Sequence, residues 1–209
     1  MMTSKEPACK QCRREREKLF LKGQRCFSDK CAFEKKPYVP GQRAKRRLVE
    51  TEYYNQLREK QKAKKYYGVL ERQFRNYYKK SVKKKGIAGE NLLKFLETRL
   101  DSVLYTMGFA ISRAQAKQLI AHGHVRVNGK KVDRPSYQLK EGDEVSIAES
   151  SKEILPVIEA KESGASLTIP GYLEVDLDNL KGRLLRYPER DEIKAPINEQ
   201  VIIELYSKY

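Results

Sequence analysis

The chain has 209 residues, 34% of them charged, and a net charge of +16. That length suits one or two domains, no apolar run is long enough to span a bilayer, and the basic excess calls for a polyanionic partner. The excess is uneven: residues 1–100 hold 29 Lys and Arg against 11 Asp and Glu, a net +18, while residues 101–209 stand at −2, so nucleic acid or an anionic surface would be met by the first half.

Four cysteines, Cys9, Cys12, Cys26 and Cys31, lie near the start and none occurs elsewhere. Two close pairs set apart by a short loop supply four sulfurs to one tetrahedral ion, and zinc favours that set. Met1 to Ala8 are polar and unlike a signal peptide, so the cytosol is expected, where thiols stay reduced and zinc is favoured over two disulfides. Reduced structural cysteines are the alternative. The neighbouring cations, Arg13, Arg14 and Lys22 among them, would balance thiolate charge. The segment would then be a zinc-stapled knuckle with little apolar core.

Pro37, Pro40 and Gly41 mark a loop. Arg43, Lys45, Arg46 and Arg47 follow as a cationic run, read as phosphate-binding or as a solvated loop. From Val49 the pattern is helical, with Tyr53, Tyr54 and Leu57 on one face, Arg58, Lys62 and Lys65 on the others, and Gly68 as its stop. A second helix carries Leu70, Phe74, Tyr77 and Tyr78, with Arg72, Arg75 and Lys79 between them. Its aromatics read as core rather than base platforms. Lys83, Lys84 and Lys85 close it as a basic loop before Gly86.

Leu92, Leu93, Leu96, Leu100, Val103, Leu104 and Met107 keep one apolar face of a single helix ended by Gly108. Ser112 and Gln115 form a capping box for the next helix, which ends at Gly123. The two make a compact hairpin. Strands are expected at Val125–Val127 and Lys130–Val132, joined by an Asn128-Gly129 turn, and at Ser136–Leu139 and Glu144–Ile147 around a Glu141-Gly142-Asp143 turn. Arg113 and Lys117, four apart on one helix face, collect with Lys130 and Lys131 on the polar side, where the helix dipole favours phosphate. His122 and His124 read as turn residues, and Asp101 and Asp143 as structural. Beyond these lie a short helix at Ile154–Ile158, a strand at Leu173–Leu177 and a partner at Lys181–Arg186. In the last element the β-branched Val201, Ile202 and Ile203 argue strand, while Asn198 as a cap argues helix and tips the balance.

The fold class is therefore α+β. The run from Arg99-Leu100-Asp101 through Ser112-Arg113-Ala114-Gln115-Ala116-Lys117 to His122-Gly123-His124-Val125-Arg126-Val127-Asn128-Gly129-Lys130 resembles the RNA-binding module named after small-subunit ribosomal protein four of bacteria (S-four). That module also occurs in RNA-modifying enzymes and synthetases. The flanks Leu57–Lys62, Tyr67–Asn76 and Ile197–Lys208, and the four cysteines, resemble the S-four family itself, in its zinc-bearing branch. Two places depart from the family pattern: Met1 to Ala8 keeps only Pro7 of an Arg-Tyr and Gly-Pro signature, and Pro40-Gly41-Gln42-Arg43-Ala44 stands where Pro-Gly-Gln-His-Gly is common.

The resemblance implies a segment at 1–45 and a helical domain at 46–95 completed by about 190–209. It further implies an inserted domain at 96–189 holding the RNA-binding module at about 98–162. It implies a structural, non-enzymatic ribosomal protein in the cytoplasmic small subunit. Such a protein binds the five-prime domain of small-subunit ribosomal RNA, starts assembly of the subunit body, touches protein five, is linked to protein twelve, and contributes to translational accuracy. The Arg43–Arg47 run would border the path of incoming messenger RNA. The residues favour RNA as partner independently, because a cationic surface can hold folded RNA by shape and phosphate position. An RNA-modifying enzyme would need a further catalytic domain, and residues 150–209 carry no such motif. A zinc-dependent DNA regulator is the other binding class.

Overall fold

The computed structural model describes residues 7–41, 50–164 and 168–208. It divides into two units, Met1–Leu92 with Ala195–Tyr209, and Leu93–Lys194. No helix among the described residues is long and apolar enough to cross a membrane.

The first unit opens with α1 (Ala8–Glu15), a 3-10 turn at Gly23–Cys26 and α2 (Ala32–Lys35). Two long helices follow, α3 (Glu52–Tyr67) and α4 (Glu71–Lys83). Thr51 caps α3 by accepting from the Tyr54 amide, and Gly68 ends it with φ +60, the left-handed conformation a side chain resists. The apolar residues of α3 and α4 turn inward, so Ala63, Tyr67, Phe74 and Tyr77 are buried. The last element is a helix, α9 (Glu199–Lys208), and Asn198 Oδ1 accepts from the amides of Gln200 and Val201. The cap thus outweighs the β-branched run, whose residue Ile202 supplies the fully buried face. The α9 helix packs on α3: Gln56 Nε2 reaches Glu204 (3.4 Å) and Lys208 Nζ reaches Glu52 (2.5 Å). Tyr206 stacks on Tyr78 of α4 with centroids 4.5 Å apart.

The single helix expected from Leu92 to Met107 is two, α5 (Ala88–Glu97) and α6 (Leu100–Thr106). Arg99 is extended (φ −68, ψ 141), which frees the chain at 98–99 to pair elsewhere. Leu139 N donates to Thr98 O (3.0 Å) and Leu100 N donates to Tyr137 O (2.8 Å). The expected strand Ser136–Leu139 is reduced to this pairing, an isolated Arg99–Gln138 bridge. Apolar spacing runs unbroken across the joint, because Leu92, Leu93 and Leu96 of α5 are buried as fully as Leu100, Val103 and Leu104 of α6.

The core of the second unit sits between the α6 and α7 (Arg113–Ala121) hairpin and a five-stranded antiparallel sheet. Its strands are β1 (Val125–Val127), β2 (Lys130–Lys131), β3 (Glu144–Ile147), β4 (Leu173–Asp176) and β5 (Lys181–Leu184), in the order β2-β1-β3-β5-β4. Asn128 and Gly129 both have positive φ (50 and 76), the two-residue turn that matches strand twist, and fix Val127 opposite Lys130. The helix expected at Ile154–Ile158 extends as α8 (Leu155–Gly164).

Candidate nucleic-acid interface

The four cysteines come from three local structures. Cys9 and Cys12 lie three apart on the first turns of α1, hence on one helix face. Cys26 ends the 3-10 turn and Cys31 is the residue before α2. All four line one small apolar pocket with Ala8, Leu21, Lys22 and Phe33. Lys22 N donates to Cys26 Sγ (3.4 Å). Burial pushes the Cys12 and Cys26 thiols up, and the nearness of the other sulfurs pushes the same way. A divalent cation reverses that balance by favouring thiolate. Among the described residues, no three His, Cys, Asp or Glu side chains are drawn together closely enough to make a formed metal centre. The donor set and the shared pocket still suit one tetrahedral ion.

The cations named from the sequence divide sharply. One group is tied into the protein. Arg13 Nε donates to Tyr38 O (2.9 Å) and its guanidinium lies over the Tyr38 ring. Arg58 and Lys65 both bond to Glu15, whose side chain is 1% exposed. Lys62 bridges Glu17 (3.0 Å) and Glu59 (2.9 Å); burial works against its charge, but these two carboxylates prevail and raise its pKa. The other group is exposed: Arg14, Lys22, Arg72, Arg75, Lys79, Lys83, Lys84 and Lys85. Among the described residues, no carboxylate pairs with Arg72, Lys79, Lys83 or Lys85. The exposed row runs along α4 into the loop after it, on the side away from Phe74 and Tyr77. Arg43, Lys45, Arg46 and Arg47 lie outside the described residues.

In the second unit the α6–α7 hairpin carries a buried charged cluster. Arg99 forks onto Asp101 through Nε (2.9 Å) and Nη2 (2.6 Å), with both side chains nearly sealed from solvent. Lys117 Nζ lies 3.6 Å from the same carboxylate. Burial pushes the Lys117 pKa down against the pull of Asp101, and the Arg99 charge adds to the push. Arg113 stacks over Tyr105 (4.5 Å) and its Nε reaches Ser102 Oγ (3.5 Å). Arg113 and Lys117 thus present only part of their charge outward. Ser112 caps α7 as expected, accepting from Gln115 N (3.2 Å), but Gln115 Oε1 reaches one residue further back, to Ile111 N (2.6 Å).

Lys130 and Lys131 are exposed on β2, and the stem of Lys131 lies over Gly123, so close that a Cβ there would meet it at 2.2 Å. His124 Nδ1 bonds Ser151 Oγ (2.9 Å) beside the exposed His122, the structural role read from the turn. Asp143 takes bonds from Asn128 Nδ2 and Lys140 N (both 2.8 Å), again structural. Sequence reasoning missed Glu15, whose buried carboxylate decides what Arg58 and Lys65 do. Its signal was slight: an acid inside a strongly basic stretch.

Two family descriptions match the chain, the ribosomal protein S4/S9 N-terminal domain over residues 3–97 and the S4 domain over residues 98–145. The chain is 55% identical to the small ribosomal subunit protein uS4 of Natranaerobius thermophilus over 97% of both proteins. It is 53% identical to that of Dictyoglomus turgidum over 97% of both, and 53% identical to that of Koribacter versatilis over the full length of both.

Proposed function

The chain belongs to the small ribosomal subunit protein uS4 family, and from that premise we propose that it binds small-subunit ribosomal RNA as a structural, non-enzymatic part of the small subunit. The observation that carries this reading is the exposed cationic row from Arg72 to Lys85, in which Arg72, Lys79, Lys83 and Lys85 meet no carboxylate among the described residues while neighbouring cations are consumed in internal ion pairs. Cations kept clear of carboxylates are available to displace counterions from phosphate. Lys makes point contacts there and Arg forked ones.

The finer parts of the reading are also ours. The RNA is the five-prime domain, binding starts assembly of the subunit body, protein five is a neighbour, and protein twelve is linked through translational accuracy. The Arg43–Arg47 run borders incoming messenger RNA. One zinc ion is held by Cys9, Cys12, Cys26 and Cys31, and when bound it cross-links three short local structures that bury little apolar surface of their own. The amide of Lys22, already directed at Cys26 Sγ, would stabilise thiolate in that state.

Filter binding to a five-prime-domain transcript across a salt series tests this. Neutralising about six to ten phosphates drops affinity by about three to five decades between roughly 50 and 200 mM salt. Replacing Lys83, Lys84 and Lys85 by Ala lowers the log–log slope by about two to three. A salt-independent affinity, or preference for duplex DNA at matched salt, overturns the proposal.

A further inference from the structure

Phe27 is 74% exposed, far more than the next aromatic among the described residues, Tyr53, at 49%. It stands just past the 3-10 turn and stacks on Phe20, with centroids 4.9 Å apart and planes within 25°. Phe20 itself has φ +51, a left-handed backbone that a bulky side chain resists. The chain accepts that conformation and so backs an aromatic ring whose other face meets solvent. The loop beneath is held by its own hydrogen bonds: Phe27 N to Gln24 O (3.0 Å), Ser28 Oγ to Arg25 O (3.2 Å) and Cys31 N to Ser28 O (2.9 Å). The ring is therefore presented by an ordered turn.

Lys22, Arg25 and Lys30 flank Phe27 along the chain, all exposed, with Asp29 as the one acid among them. Lys18, over the Phe20 ring at 6.0 Å, is neutralised by Glu34. An exposed flat ring among cations fits an unpaired base with its phosphates: every base has a face to stack, and the surrounding charge meets the backbone. An apolar protein surface would instead have to bury these three cations.

We propose that Phe27, backed by Phe20, is a stacking platform for one unpaired nucleobase of the bound RNA, with Lys22, Arg25 and Lys30 receiving the adjoining phosphates. This rests on the ribosomal RNA reading and adds a contact that is not salt-driven. The chain contains no tryptophan, so Phe27→Trp places a single emitter at the site.

The experiment uses the full chain and the five-prime-domain transcript, with zinc content and circular dichroism matched across variants. Phe27→Ala and Phe27→Leu weaken binding by about tenfold, in line with one lost stack, and leave the salt slope unchanged. Phe27→Trp keeps wild-type affinity, and its emission is quenched on adding RNA. Wild-type affinity for Phe27→Ala, or an unquenched tryptophan in the saturated complex, overturns the platform while the RNA reading stands. Failure of the wild type to bind the transcript overturns both. Unchanged RNA affinity with poor retention in assembled subunits also overturns it, and assigns Phe27 to a protein neighbour.

Discussion

The unit Leu93–Lys194 is organised around one continuous apolar core, from Leu100, Leu104 and Phe109 on the helical side to Val125, Val145 and Leu184 on the sheet. Its buried charges are few: Glu97, Arg99 and Asp101, with the partly exposed Lys117 beside Asp101. The unit of Met1–Leu92 with Ala195–Tyr209 adds ion pairs between helices to its buried apolar faces: Glu15 to Arg58 and Lys65 between α1 and α3, and Glu71 to Lys60 and Lys64 between α4 and α3. The lesson concerns a strongly basic protein. Where cations are dense they must both hold the fold and meet the ligand, and the few acids decide which cation does which. Where they are sparse, apolar burial holds the fold and the charge can be sealed inside.

Removing the proposed zinc ion is expected to break this comparison most strongly. A zinc-stapled N-terminal segment that lacks a large core depends on the ion for its order, and structural zinc supplies on the order of 10 kcal/mol in small domains. We expect one equivalent of zinc per chain, lost in Cys26→Ser, together with amide-exchange protection over residues 8–35. The β1–β5 sheet keeps its protection, because its core draws nothing from the thiols. Equal loss in both units, or protein that purifies free of zinc with residues 8–35 still protected, contradicts the staple.

Within the apolar unit, Asp101→Ala is the next largest effect. It removes the carboxylate that the Arg99 guanidinium, 3% exposed, shares with Lys117, and breaking a buried pair this way costs about 3–5 kcal/mol. Lys117→Met costs much less, because burial already disfavours its charge and Arg99 keeps both bonds to Asp101. Denaturant melts of the two variants check the ranking. Comparable losses would show that the cluster is held by Lys117 as much as by the Arg99 fork.

The same contrast explains what was legible in the sequence. Spacing located α3 and α4, with Gly68 as the stop between them, and capping located α7 and α9, because Ser112 and Asn198 act through local backbone groups; the Thr51 cap of α3 was not read. The break at Thr98–Arg99 was hidden, since it is made by pairing with residues about forty positions away while the apolar period continues through it. Strand Ser136–Leu139 failed for the same reason: the partner it finds, at residues 98–99, is two residues long. In the interface, composition identified the basic half, yet no spacing distinguishes Lys65, bound to Glu15, from Lys85, which is exposed and has no carboxylate partner among the described residues. Phe27 lies in no periodic segment, so only its exposure and its stacking on Phe20 reveal it.

The smallest test asks whether the interhelical ion pairs of the first unit contribute stability or only geometry. Burial alone would raise the Glu71 carboxyl, but hydrogen bonds from Lys64 (2.6 Å) and Lys60 (3.0 Å) bring it down to about 2, from an ordinary 4.5. A carboxylate depressed by folding contributes stability above its unfolded pKa and loses it as pH falls toward the folded one. Glu71→Gln is therefore less stable than wild type at pH 7, and the gap closes as pH falls from 4.5 toward 2. The side chain is 46% exposed, so solvent screening keeps the gap below about 1 kcal/mol, a melting shift of about 2–4 °C at most. Tyr206 Oη still has an acceptor in the variant, so the comparison isolates charge from packing. A gap that persists unchanged down to pH 2 would mean that the substitution acts through packing rather than charge, with α4 held to α9 by Phe74 and Tyr78 stacked on Tyr206, and that the ion pairs follow the packing rather than support it.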